Sequence, residues 1–136
     1  DALGVVQAKL SGKGIQLLLE NASGPFNGDP HELASVCENV PGLKLTYDCA
    51  HAWLSEYCLG GRGSLLDHLS VVRPHVHSFQ FNDHDGSSGR AVGQGDIPWE
   101  EFLPAVLRCG CELWTLELRT VAATLASRDF LKEWLH

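Results

Sequence analysis

The segment Leu43-Lys-Leu-Thr-Tyr-Asp48 is a short run of strand-forming residues that ends on a single carboxylate. Three other segments share this plan, because each is an apolar run that closes on a group able to bind a metal: Ile15-Gln-Leu-Leu-Leu-Glu20, Val76-His-Ser-Phe-Gln80 and Leu113-Trp-Thr-Leu-Glu117. The closing groups lie 28, 32 and 37 residues apart, which suits one strand, one helix and two loops. This spacing predicts parallel strands joined by helices, with all four groups on the rim formed by the carboxyl ends of the strands.

Helix signals fill the intervals between these strands. Asp29 precedes Pro30 and stands three residues before Glu32, which is the pattern of an N-cap followed by a capping box. Similar signals predict helices over residues 29–39, 64–72 and 97–109, and a last helix that begins near Ser127. After the third strand, residues 83–96 are polar and rich in glycine, which predicts a long functional loop.

Composition restricts the classes to which the protein can belong. With 136 residues and 44% hydrophobic content, residues 1–136 are expected to form one domain with its own core. The net charge of −7 and the lack of a basic stripe disfavour nucleic acid as a partner, and no apolar run is long enough to cross a membrane. Five cysteines without a CxxC pair predict reduced thiols and a cytoplasmic location. Methionine is absent even at position 1, so we expect a processed or excised segment.

Four parallel strands raise a physical problem, because a free parallel sheet exposes two edges and normally needs both faces covered. Eight such strands close into a TIM barrel of about 250 residues, roughly twice the length of this chain. The sequence therefore predicts an α/β fold of four parallel βα units, a half-barrel that another chain or another copy of this one completes. An open, doubly wound sheet is the alternative.

Short motifs stand at the predicted strand ends: Leu-Leu-Glu20-Asn21, Tyr-Asp48-Cys-Ala-His51-Ala, Asn82-Asp83-His84-Asp85-Gly86 with Gly93-Gln-Gly95-Asp-Ile-Pro-Trp99, and Thr-Leu-Glu117. In this order and at these spacings they resemble the C-terminal half of the xylose isomerase-like TIM barrel superfamily. That superfamily includes sugar and sugar-phosphate isomerases and epimerases, dehydratases, and AP endonuclease family 2. The resemblance implies that the four strands are strands five to eight of a (β/α)8 barrel, a half-barrel that a partner or a missing N-terminal half completes.

The same resemblance implies a site for one divalent metal, Mn, Co, Mg or Zn. Glu20, Asp48 and Glu117 match the ligand types of the family, whereas its third-strand histidine falls on Gln80. Glutamine ligates a metal through its carbonyl oxygen without charge. A shifted register would make His77 the ligand instead, since residues three apart on a regular strand face opposite sides. The sequence leaves Gln80 and His77 as alternatives.

Roles for the other rim residues follow from the resemblance. His51 and Asp83 are expected to contact the substrate, with a loop histidine and turn chemistry as their alternatives. Glu20 and Glu117 are expected to be catalytic, one removing a proton next to a carbonyl while the other returns one. Glu117 has a simpler alternative, because Arg119 lies two residues away and can pair with it.

Three functions are compatible with these residues. The first is a metal-dependent sugar or sugar-phosphate isomerase or epimerase of carbohydrate metabolism, with a small-molecule sugar as partner. The second is a non-catalytic or truncated half-barrel that acts only in an assembly such as a homo-oligomer, which the neutral Gln80 favours. The third is an AP endonuclease relative, which the negative charge disfavours. Gly89 and Ala91 also replace loop ligands that some family members carry.

Overall fold

Four parallel strands form the main sheet of the protein. The computed structural model describes residues 2–135. The strands of this part are β1 (Leu18–Glu20), β2 (Lys44–Asp48), β3 (Val76–Phe81), β4 (Asp83–His84), β5 (Gly89–Arg90) and β6 (Leu113–Leu116). The main sheet has the order β1-β2-β3-β6 with every pair parallel, while β4 and β5 form a small antiparallel hairpin. The predicted α/β class and parallel sheet are confirmed.

Helices connect the strands, and the capping signals predict some of them. The helices are α1 (Ala2–Ser11), α2 (Pro30–Asn39), α3 (Cys49–Trp53), α4 (Glu56–Leu59), α5 (Leu65–Val72), α6 (Trp99–Leu107) and α7 (Val121–Trp134), with a 3-10 turn at Arg73–His75. Asp29 caps α2, and Ser64 with Asp67 forms the capping box of α5. The expectation that the last helix begins near Ser127 is wrong. Thr120 caps α7 by accepting a hydrogen bond from the Ala123 N–H, so this helix begins two turns earlier.

The core lies between the helices and one face of the sheet. Aromatic side chains dominate it, because residues alternate across a strand and one set of alternating positions carries the rings. Tyr47, Phe79 and Phe81 are fully buried and stack in sequence with ring centroids 5.6 and 6.0 Å apart. Trp99 and Phe102 of α6 cover these rings from the helix layer. Apolar packing of Trp99 and Phe102 against these rings therefore determines where α6 lies on the sheet.

The opposite face of the sheet is polar and only partly covered. Strand register places Thr46 beside Ser78, whose hydroxyl groups are 2.8 Å apart, and Gln80 beside Thr115. Leu113 belongs to the same face and is 52% exposed. In addition, β1 and β6 are the two edges of the sheet order, so each pairs on one side within the described part of the chain. Both features are typical of a sheet that requires further strands.

Within residues 2–135, none of the helices combines the length and the apolar character needed to span a membrane.

A buried histidine links the sheet to the loop that follows β1. His68 on α5 is 0% exposed, and its Nε2 donates to the Gly28 carbonyl oxygen at 3.2 Å. This tautomer leaves Nδ1 free to accept from the Tyr47 hydroxyl, also at 3.2 Å. Burial lowers the pKa of His68 from 6.5 to about 4, because the charged ring would lose its hydration. Both ring nitrogens are therefore satisfied in the neutral form only.

We expect the stability of the protein to fall as the pH drops from 6.5 to 4. In this window the unfolded chain binds a proton at His68 that the folded chain does not, which costs about 3 kcal/mol of unfolding free energy at pH 4. Urea unfolding between pH 7 and pH 4 measures this loss as a steeper decline in the wild type than in His68→Gln. The exposed His31→Gln variant is the control and keeps the wild-type slope. Parallel stability curves for the wild type and His68→Gln would contradict the assignment.

Candidate metal centre and active site

The centre of the rim is Asp48, a carboxylate with no exposed surface. One carboxylate oxygen accepts from the His51 N–H at 2.7 Å, which also makes Asp48 the N-cap of α3. The other accepts from the Asn82 side-chain amide at 3.1 Å. These hydrogen bonds offset part of the cost of burying a charge, yet they leave lone pairs of both oxygens available for a cation.

Two asparagines, for which the sequence predicts no role, hold the strand ends together. Asn21 donates from its amide to the Asp48 carbonyl oxygen at 3.0 Å and accepts from the Asp48 N–H at 2.7 Å. Asn82 accepts from the Ala50 N–H in addition to its bond with Asp48. Each asparagine follows a predicted strand end by one or two residues, and that position was the only signal available in the sequence.

His51 lies beside the two carboxylates of the first and second strands. Its Nδ1 is 3.7 Å from a Glu20 carboxylate oxygen and 4.0 Å from an Asp48 oxygen. The same nitrogen is 3.1 Å from the Asn21 carbonyl oxygen, which can only accept, so Nδ1 carries the proton and Nε2 keeps its lone pair. Glu20, Asp48 and His51 each offer a ligand atom within 4.8 Å of the others.

Glu20 is a carboxylate whose proton affinity is increased by its surroundings. Partial burial raises the pKa of Glu20 above its ordinary value, and the negative charges of Asp48 and Glu117 raise it further. His51 and a hydrogen bond from Gln80 lower the pKa of Glu20, but they do not cancel the rise. A carboxyl group with an increased proton affinity is a candidate general base.

The third strand presents Gln80, not His77, to this rim. Gln80 is the register partner of Asp48, so the two side chains lie next to each other on the polar face of the sheet. The side-chain oxygen of Gln80 is buried and has no hydrogen-bond partner. His77 lies near the opposite, amino-terminal end of β3, where its carbonyl oxygen accepts from the Cys111 thiol.

Glu117 occupies the corresponding place after β6. Its N–H donates to the Phe81 carbonyl oxygen at 3.2 Å, which continues the strand pairing to the end of β3. The negative charge of Glu117 raises the pKa of Glu20, although Glu117 is outside the close cluster of Glu20, Asp48 and His51. Glu117 and His51 line one cleft of about 720 Å³ at the mouth of the sheet.

Asp83 has a different environment from that predicted for a substrate contact. It is 0% exposed, and its carboxylate accepts from the Trp99 indole at 2.7 Å and from three backbone N–H groups that it gathers from the following loop: Gly93, Gly95 and Ile97. A Cβ atom at Gly95 would lie 2.3 Å from this carboxylate, so only glycine fits. Asp83 therefore holds the loop in place, while its contact with a substrate stays a prediction.

The donor set fits a hard or borderline divalent cation. Two carboxylates and an imidazole converge within 4.8 Å, and the unpaired Gln80 oxygen points to a missing electropositive partner. A buried acceptor without a donor costs free energy, and a cation beside it would remove that cost. Of the predicted ligands, the structure brings Glu20, Asp48 and Gln80 together and leaves Glu117 at the edge, while His51 lies beside them.

Comparison of the fold with solved structures finds similar proteins of about twice this length. A D-tagatose 3-epimerase-like protein has a TM-score of 0.80 at 19% identity, with 98% of this chain and 51% of that chain covered. A probable 3-DHS dehydratase from Bacillus anthracis has a TM-score of 0.77 at 13% identity, with 99% and 54% covered. The 3-keto-D-glucoside 4-epimerase of E. coli has a TM-score of 0.72 at 17% identity, with 99% and 51% covered. At these identities the likeness is one of fold.

The sequence matches no curated protein significantly. It does match a family, the xylose isomerase-like TIM barrel, over residues 2–134. The chain spans about half the length of the solved proteins that it resembles. Since the match covers nearly every residue, and the parallel sheet and rim agree with it, the chain belongs to the xylose isomerase-like TIM barrel family.

Proposed function

We propose that this chain is part of a divalent-metal-dependent sugar isomerase or epimerase, in which paired glutamates move a proton next to a carbonyl. The observation that carries the proposal is the convergence of Glu20, Asp48 and His51 beside the unpaired Gln80 oxygen. Two of the similar solved structures bear names of epimerases, which supports this class of reaction.

The residues present define how such a reaction would run. Glu20, Asp48 and Gln80, with Glu117 at the edge, would hold a divalent metal, which would supply Lewis-acid polarisation of the sugar carbonyl. Glu20, whose pKa is raised, takes the proton from the carbon next to the carbonyl. Glu117, which lines the cleft, returns a proton, and His51 offers its free Nε2 to a substrate hydroxyl.

Two other readings have less support. An AP endonuclease role would need a basic surface for phosphate contacts, whereas the chain carries a net charge of −7. A non-catalytic role is favoured only by the neutral Gln80 in place of a charged or imidazole ligand. The experiments below separate that role from the catalytic one.

Glu20 is expected to be essential for metal binding. Replacing it in Glu20→Gln removes one of two converging negative charges, so the affinity for Mn²⁺ should fall at least ~10-fold. Isothermal titration of the metal-free chain with Mn²⁺ measures the effect. The control is Glu133→Gln, since Glu133 is exposed on α7 and should leave the affinity unchanged. Equal Mn²⁺ affinity in the wild type and Glu20→Gln would argue against the site.

The catalytic proposal predicts proton exchange. In D₂O with Mn²⁺, the protein should incorporate deuterium next to the carbonyl of a ketose, with D-fructose and D-ribulose 5-phosphate as the probes, and NMR follows the signal. Glu117→Gln should slow the exchange at least ~100-fold, because a positioned acid or base contributes about that factor. Circular dichroism confirms that the variant keeps its fold. If the metal-loaded wild type exchanges no proton on any ketose or aldose, the non-catalytic reading stands.

We also propose that a second four-stranded βα unit covers the polar face of the sheet. The open edges at β1 and β6, the exposed Leu113 and the half-length coverage of the similar structures support it. When only the 136-residue chain is present, a second copy of the same chain can supply this unit, and the assembly is then a homo-oligomer.

The assembly is expected to appear as a solution mass of twice 14.8 kDa, because pairing two copies removes four exposed sheet edges. Sedimentation equilibrium measures the mass directly. Leu113→Glu, which puts a charge on the uncovered face, should weaken the dimer, whereas Leu59→Glu at an exposed helix end should not. A strict monomer over the whole concentration range would rule out completion of the barrel by self-pairing.

A further inference from the structure

The cleft at the rim extends well beyond the candidate metal ligands. Its volume is about 720 Å³, within the range of sites that hold small molecules. His51 and Glu117 lie on its wall together with two arginines, Arg90 from the loop after β3 and Arg119 from the loop after β6. A substrate bound at the rim therefore has cationic side chains beside it as well as carboxylates.

Arg90 already forms an ion pair within the protein. Its Nε donates to the Asp85 carboxylate at 2.7 Å, and a second guanidinium nitrogen bonds the same oxygen. The Ser88 N–H, the Ser87 hydroxyl and N–H, and Arg90 together hold the pKa of Asp85 well below its ordinary value. This ion pair closes the β4–β5 hairpin. The carboxylate of Asp85 therefore compensates the positive charge of Arg90, which attracts an anionic ligand only weakly.

Arg119 has no such partner. Within residues 2–135, its side chain makes no ion pair or hydrogen bond, and Glu117, two residues earlier, is not within ion-pair distance. The first turn of α7, which follows Arg119 directly, carries no acidic side chain. Arg119 also lines an adjoining cavity of about 280 Å³, so its side chain stands where the two spaces meet.

A neutral hydrogen-bond donor lines the same cleft. His84 accepts from the Gly86 N–H through Nδ1 at 2.9 Å, which requires the remaining ring proton of a neutral imidazole to reside on Nε2. That N–H makes no hydrogen bond to another residue of the described chain. The cleft thus offers an uncompensated guanidinium and a free N–H donor, both of which suit an anionic oxygen.

We propose that Arg119 forms an oxyanion subsite and that the substrate carries a carboxylate or phosphate group. This inference rests on the proposed function and narrows its substrate class from sugars in general to anionic sugars. A guanidinium binds two oxygens of a carboxylate or phosphate through paired hydrogen bonds, which neutral hydroxyl groups cannot replace. Because the anionic group lies away from the reacting carbon, its binding orients the carbonyl toward the metal ligands.

The test uses the metal-free 136-residue chain, so that a phosphate cannot bind through a metal. D-ribose 5-phosphate, D-glucuronate and D-ribose are titrated calorimetrically into the wild type and Arg119→Gln. We expect at least one anionic sugar to bind the wild type at least ~10-fold more tightly than D-ribose, the factor typical of one charge-assisted contact. Arg119→Gln should remove that advantage. Comparing the two anions shows whether the subsite takes phosphate or carboxylate.

Arg128→Gln is the matched control, because Arg128 lies on α7 and pairs with Asp129. It should bind the anionic sugars as the wild type does. The proposal is overturned if D-ribose binds the wild type as tightly as both anions, if neither anion binds, or if Arg119→Gln retains the advantage. The proton-exchange experiment fails or succeeds independently, since Arg119-dependent binding without any exchange would keep the subsite and refute the catalytic function.

Discussion

A reciprocal pair of hydrogen bonds between the Asn21 side chain and the Asp48 backbone ties the end of β1 to the end of β2. The chain must leave the sheet at these points, where regular strand pairing stops and backbone groups would otherwise lack partners. Asn21 supplies both a donor and an acceptor in the fixed geometry of one amide. Glu20 and Asp48 therefore reach the rim side by side, and α3 begins on Asp48 itself.

The two faces of the sheet show why this rim can hold charge. On the helix side, Tyr47, Phe79 and Phe81 form a rigid aromatic layer with no exposed surface. That layer fixes strand register, and register in turn places Asp48 beside Gln80 on the other face. Burial of Asp48 and Asp83 is tolerated because each carboxylate accepts several N–H donors, which replace the water lost on folding.

The sequence predicted the strands well, because their apolar runs are short, regularly spaced and closed by turn or cap residues. Its predictions were less accurate where a polar residue could either cap a helix or lie in a loop. The sequence predicts a start of α7 near Ser127, although the cap is Thr120, since threonine after a strand is equally typical of a loop. Ser127 is instead buried, and its hydroxyl accepts from the Val92 N–H. Helices α3 and α4 are too short to show the hydrophobic period of a helix, so the sequence does not predict them.

For the rim, the chain by itself determined which groups stand at the carboxyl ends of the strands, because parallel βα units bring those ends to one side of any such sheet. Tertiary structure decided how those groups are used. His51 joins Glu20 and Asp48 because Asp48 caps α3 and the first turn of that helix carries His51. Asp83 is buried because its carboxylate accepts from the Trp99 indole and from backbone N–H groups of the glycine-rich loop. Spacing along the chain specifies which residues reach one edge of the sheet, whereas packing and hydrogen bonding determine which side chains converge there and which ones hold a loop.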